Sequence, residues 1–123
     1  MHSPRTNEQR RFTRLLFETP AQLMAQNASP QMGQLHDISL KGALIRVPPA
    51  WQGRVSDACT LEIPLGPTDI IRMDGRIAHI EGALVGVTCL KLDLDSATHL
   101  RRLVELNLGD PRLLERELDA LIA

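Results

Sequence analysis

Ile71, Met73 and Ile77 alternate along the chain with Arg72, Asp74 and Arg76. A period of two is the mark of a half-buried strand, with one face toward a core and the other toward water. Similar short segments recur along the first three quarters of the sequence. Strands are expected near residues 34–38, 43–47, 59–65 and 83–90, with turns at Ser39-Leu40-Lys41-Gly42, Gly66-Pro67 and Gly82. Pro48-Pro49 ends one of them, because proline cannot donate to a sheet ladder. A loop over 50–57 follows, containing Trp51 and Gly53. An earlier strand is expected over 21–26, after an extended lead-in broken by Pro20. Short strands joined by tight turns point to a mainly β fold, an antiparallel barrel of six or seven strands, which removes most exposed edges.

The texture changes at Asp95. Asp95 or Ser96 can cap a helix, and Leu100, Leu103, Val104 and Leu108 then fall at helical spacing. Gly109 suits a left-handed stop. Asp110-Pro111 restarts a helix whose apolar stripe runs through Leu114, Leu118 and Leu121. One or two C-terminal helices are thus expected to pack on the barrel. The organisation expected is an N-terminal arm over 1–9, flexible when free, and one domain over 10–123. Its barrel spans about 15–92 and its helices about 95–122. With Trp51, Phe12 and Phe17 as its aromatic residues and no tyrosine, the core must be built from aliphatic side chains.

Charge is distributed unevenly. The net charge is −1, yet residues 1–14 carry Arg5, Arg10, Arg11 and Arg14 against Glu8. The first fourteen residues thus hold +3 and the remainder −4. One short basic arm suits a compact anion better than a long duplex, which needs an extended basic face.

Two motifs carry chemistry. Arg10 and Arg14 form an RxxxR pattern. Asp37, Ser39 and Gly42 form DxSxxG, beginning 23 residues after Arg14. A guanidinium offers a planar fork of donors that matches phosphate oxygens and the O6/N7 edge of guanine. An ionised Asp37 accepts only, which complements the N1–H and N2–H donor edge of guanine. Ser39 can donate to a phosphate or base, and Gly42 permits a tight turn with close backbone approach.

In this order and spacing the two motifs resemble the signature of the PilZ domain family, receptors for the bacterial second messenger cyclic di-GMP. The resemblance extends over arm, barrel and helices, and Leu84-Val85-Gly86-Val87 is similar to the family's final strand. It implies that Arg10 and Arg14 contact phosphates and guanine faces, with Arg11 adding a phosphate contact. Asp37, Ser39 and Gly42 would line the pocket on the barrel surface. His79 lies on the strand where some relatives stack a ring on guanine; the alternative is a solvent-facing strand histidine. Gln9 stands just before RxxxR, where an arginine favours a stacked pair of nucleotides, so the number bound stays open. The implied partners are cyclic di-GMP and a downstream protein that the sequence does not name. The implied mechanism is an arm that orders over the ligand.

Other classes fit poorly. His2, His36, His79 and His99 are widely spaced, and no HExxH, GxSxG or Walker-type loop occurs, so no enzyme is expected. Adjacent His36 and Asp37 would point to opposite faces of a strand. Cys59 and Cys89 belong to no metal-binding cluster and read as buried free thiols; neither metal nor cofactor is expected. Scarce aromatics and the single basic arm weigh against nucleic acid as a partner. The start shows no apolar signal core and no run long enough to cross a membrane, so a cytoplasmic protein without membrane insertion is expected. The competing reading is a PilZ-like interaction adaptor that binds no nucleotide.

Overall fold

The structure, a computed structural model, describes residues 15–26 and 28–108. Arg10, Arg11, Arg14, the 1–9 arm, Gly109 and the expected second helix lie outside them. Within them the chain forms six strands: β1 (Leu15–Ala25), β2 (Gln31–Ser39), β3 (Gly42–Arg46), β4 (Ala58–Pro64), β5 (Ile70–Glu81) and β6 (Leu84–Leu92). One helix, α1 (Leu94–Leu108), follows. All strand pairs are antiparallel, and the sheet closes as a barrel in the order β1-β2-β3-β6-β5-β4. The expected barrel is therefore present, with six strands and one described helix.

Closure comes from a short ladder. Gln22 to Ala25 of β1 pair with Glu62 to Cys59 of β4, and Gln26 N–H extends it to the Ala58 carbonyl at 2.8 Å. β1 starts six residues earlier than the sequence suggests. Pro20 does not break it, because β4 pairs only from Gln22 onward and leaves one side of the strand without a ladder at Pro20. Inside the barrel, Leu23, Leu35, Ile45, Leu61, Ile71 and Met73 are fully buried. Each such side chain contributes roughly 1.5–3 kcal/mol by leaving water. Trp51 is half-buried and packs against this core, as a loop-covering residue would.

The hairpins follow their turn residues. Gly82 opens the two-residue β5–β6 turn at φ 60°, the arrangement of a type II′ hairpin. The β2–β3 turn uses Leu40 and Lys41, neither of them in the left-handed region. There the Ser39 hydroxyl accepts Lys41 N–H at 3.1 Å, and Leu40 packs into the core.

α1 packs on β5 through Ala97, Leu100 and Val104, all buried. β5 outruns β6 at its start, which frees the backbone donor of Arg72; the Ser96 hydroxyl accepts it at 2.8 Å. The cap is Asp93, not Asp95 or Ser96: its Oδ1 accepts Ser96 N–H at 2.7 Å. The shift arises because apolar Leu94, 75 % exposed, is the first helical residue and not the tail of the barrel.

Cys59 and Cys89 are free and buried, facing inward on either side of Gly75. Two ladder steps separate them, about 10 Å, beyond the ~7 Å reach of a disulfide. Burial pushes both thiols up to about 11, with Asp74 adding to both and Asp57 to Cys59. The native thiols should therefore resist a disulfide reagent at pH 8 and react in urea. The folded state holds these protons more tightly than the unfolded chain. Their share of stability is complete below the ordinary thiol value of 9.0 and is lost as pH rises toward 11. Urea midpoints measured across that range should fall accordingly.

The cap gives a second expectation. Asp93→Ala should cost about 1 kcal/mol in urea unfolding, and Asp93→Asn much less, since asparagine also caps. The hydrogen bond from Ser96 N–H holds the Asp93 carboxyl below its ordinary 3.8. The advantage over Asp93→Ala should persist down to about pH 4 and shrink as pH falls further, through the folded-state value.

Candidate functional site

Side chains along a strand alternate between faces, so Asp37 should share the inward face of Leu35, and His79 that of Ile77. Two β-bulges overturn this. Leu35 pairs with Ile45, but Asp37 pairs with the next residue of β3, Leu44, leaving His36 extra. Ile77 pairs with Val87, but His79 pairs with the next residue toward the turn, Gly86, leaving Ala78 extra. Each extra residue inverts the alternation beyond it. Leu35 and Ile38 both face the core, while Asp37 between them turns to the outer side.

The register then aligns two rows across the outer face of β2, β3, β6 and β5. One row runs Asp37, Leu44, Gly86, His79. The next runs Ser39, Gly42, Thr88, Arg76. Asp37, Ser39, Gly42 and His79, four residues singled out in the sequence, thus share one face. Three ladder steps, about 14 Å, span a row. The expectation that His36 and Asp37 point to opposite faces does not hold: the bulge leaves both on the outer side, His36 exposed and Asp37 buried.

The face is shaped by what it lacks. A Cβ on Gly86 would sit 2.1 Å from Cε1 of His79, so the imidazole lies over bare backbone. His79 itself is exposed. At Gly42 a Cβ would meet the Val87 carbonyl oxygen at 2.1 Å, so glycine is what lets β3 and β6 approach there. Asp37 is 7 % exposed and Ser39 3 %. A carboxylate so buried needs partners, and Asp37 is engaged within the chain. The Ser39 hydroxyl accepts Lys41 N–H and lies 3.5 Å from the Gly42 carbonyl.

Of the three arginines on the described strands, Arg72 is tied down: Nε at 2.8 Å and Nη2 both donate to Glu62 Oε2. Arg76 reaches sideways to the Ser56 carbonyl at 3.2 Å. Arg46, exposed on the outer side of β3 two residues from Leu44, adds positive charge to the face. Nothing in the sequence marks Arg46 or Thr88. Neither belongs to a motif, and only the strand register brings them here.

β1 begins at Leu15, opposite Ile38, and Leu16 pairs with Asp37. The N-terminal end of β1 therefore lies beside this face. An open groove of about 530 Å³ lies elsewhere, lined by Met24, Ala58, Thr60, Asp74 and Leu90, and includes none of the motif residues. Among the described residues no group of three or more His, Cys, Asp or Glu could hold a metal ion. None of the described helices is long and apolar enough to cross a membrane.

The family model of the PilZ domain matches residues 8–106. The chain belongs to the PilZ domain family. Two solved structures share its fold. One is the PilZ domain of CeSA from a cellulose-synthesizing bacterium, with a TM-score of 0.62 and 15 % identity, covering 80 % of this chain and 99 % of that one. The other is the Bacillus subtilis inhibitor of motility MotI/DgrA, with a TM-score of 0.66 and 13 % identity, covering 80 % of this chain and 51 % of that one. This PilZ domain thus spans about half the length of the motility inhibitor. At these identities the likeness is one of fold. PilZ domains are binding and adaptor modules of a cyclic di-GMP receptor family, so the coarse reading as a binding domain stands.

The two glycines of this PilZ domain's outer face should respond differently to alanine. Gly42→Ala meets backbone and should cost about 1–3 kcal/mol in urea unfolding. Gly86→Ala meets the imidazole of an exposed residue, which can swing away, so stability should change little. The His79 ring resonances should shift in that variant. Unmoved resonances would show that the ring has no seat on Gly86.

Proposed function

We propose that this PilZ domain is a receptor for cyclic di-GMP that signals to a downstream protein by contact. One observation carries the reading: two bulges and the strand register bring Asp37, Ser39, Gly42 and His79 to one outer face, beside the N-terminal end of β1, which follows RxxxR in the sequence. In this reading Arg10 and Arg14 fold over the nucleotide with charge-assisted forks on phosphate and guanine, and Arg11 adds a phosphate contact. Asp37 accepts from the guanine donor edge. The Gly42 turn lets the ligand approach the backbone, and the His79 ring stacks at the far end of the row. No cofactor or metal takes part. Fixing the arm costs about 1–2 kcal/mol per residue ordered, offset by the new hydrogen bonds. The closed arm and nucleotide form a surface that the free protein does not present, an order–disorder switch.

A second reading, an adaptor that binds no nucleotide, is favoured by one feature. The Ser39 hydroxyl is buried and used within its own turn, so the motif also serves to hold the β2–β3 hairpin.

Calorimetric titration separates the two. The receptor should bind cyclic di-GMP, and Arg14→Ala should weaken binding at least tenfold, about 1.4 kcal/mol. Absence of binding by the wild type would leave the adaptor. Unchanged binding by Arg14→Ala would remove the arm from the site.

A further inference from the structure

The row Ser39, Gly42, Thr88, Arg76 holds two hydroxyls on either side of a bare glycine. Their situations differ. Ser39 is 3 % exposed and its oxygen is occupied by Lys41 N–H. Thr88 is half-buried on the outer side of β6, between inward-facing Val87 and Cys89. Its hydroxyl makes no hydrogen bond among the described residues. By contrast Thr60 donates to Asp74 Oδ1 at 2.9 Å, and Thr98 to the Leu94 carbonyl at 2.9 Å. Thr88 therefore supplies the accessible hydroxyl of this row, though it belongs to neither sequence motif.

Its neighbours are those that a nucleotide would meet. Gly42 lies one ladder step away toward β2, and Arg76 one step away toward β5. Gly86, the seat of the His79 ring, is two residues along the same strand and on the same face. A ligand reaching from Asp37 toward the His79 ring, which rests on Gly86, runs along the row next to Gly42 and Thr88 and so comes down beside Thr88. A hydroxyl there can donate to an oxygen, and the direction of that bond fixes the ligand's placement.

We propose that Thr88 is a further ligand-binding residue, its hydroxyl donating to an oxygen of the sugar–phosphate ring of cyclic di-GMP. The proposal rests on the receptor reading above and adds a residue on β6 to the motif residues on β2 and β3.

The test is titration of cyclic di-GMP into the wild type, Thr88→Val, Thr88→Ser and Thr98→Val, each first checked by thermal unfolding. Valine preserves the shape and removes the hydroxyl, and serine keeps the hydroxyl. Thr88→Val should weaken binding about five- to twentyfold, about 1–2 kcal/mol. Thr88→Ser and Thr98→Val should stay within about twofold. If valine does not fold at residue 88, Thr88→Ala removes the same group and should give the same loss. Binding by the hydroxyl-deleted variant within twofold of wild type overturns the proposal and leaves the receptor reading intact. Serine as weak as valine also overturns it, since a retained hydroxyl would then fail to sustain binding. No binding by the wild type overturns the receptor reading itself, and Thr88 falls with it.

Discussion

Closing a sheet into a barrel fixes which side of every strand is inside, and nothing on the outer face can be placed until that is settled. Here the four-residue ladder between β1 and β4 completes the closure. Inward positions are then filled by aliphatic side chains with almost no exposure. A strand obeying strict alternation would send Asp37 and His79 into that interior, where an ionised carboxylate is costly. The bulges at His36 and Ala78 place them outside instead. They stand at neighbouring levels on the two strands that flank the β3–β6 pair. As a result the inverted stretches face each other across Leu44 and Gly86.

The two glycines on this face have distinct origins. Gly42 answers to the backbone: β3 and β6 approach so closely there that any side chain would strike the Val87 carbonyl. Gly86 answers to a side chain, providing the flat surface on which the His79 ring rests. One sets the spacing of the strands and the other the texture of the surface. Ser39 joins the first group, because its hydroxyl organises the turn that delivers Gly42 to β6.

Much of this architecture was legible in the sequence. Period-two segments and turn residues located five of the six strands to within a few residues, because glycine and proline report directly on backbone conformation. β1 was harder: Pro20 looks like a stop, and only the absence of β4 pairing at that point explains why it is tolerated. The helix start was misplaced by two to three residues because Leu94, an apolar side chain, projects outward. For the site, the spacing of Asp37, Ser39 and Gly42 marked the β2–β3 hairpin. The bulges had no local signature. His36 and Ala78 are not turn residues, and their extra place in the chain is visible only against the partner strand. The sequence left two roles open for His79, a ring stacked on guanine or a solvent-facing strand histidine, and the register puts it on the outer face in line with Asp37, as either role requires.

The bulges also determine what kind of genetic change this face can survive. Its residues can be exchanged one at a time, with graded effects, because each substitution leaves the phase of the strand intact. Losing the single codon for His36 or Ala78 is a different event. The chain would have to slip by one place, turning Asp37 or His79 toward the aliphatic interior and bringing core side chains out into water. An outer face built on paired phase inversions is therefore open to drift by point replacement and closed to drift by length. Variation in length belongs instead in connections that carry no register, such as the stretch between Val47, whose N–H donates to the Ala83 carbonyl, and Ser56, whose N–H donates to the Ile77 carbonyl.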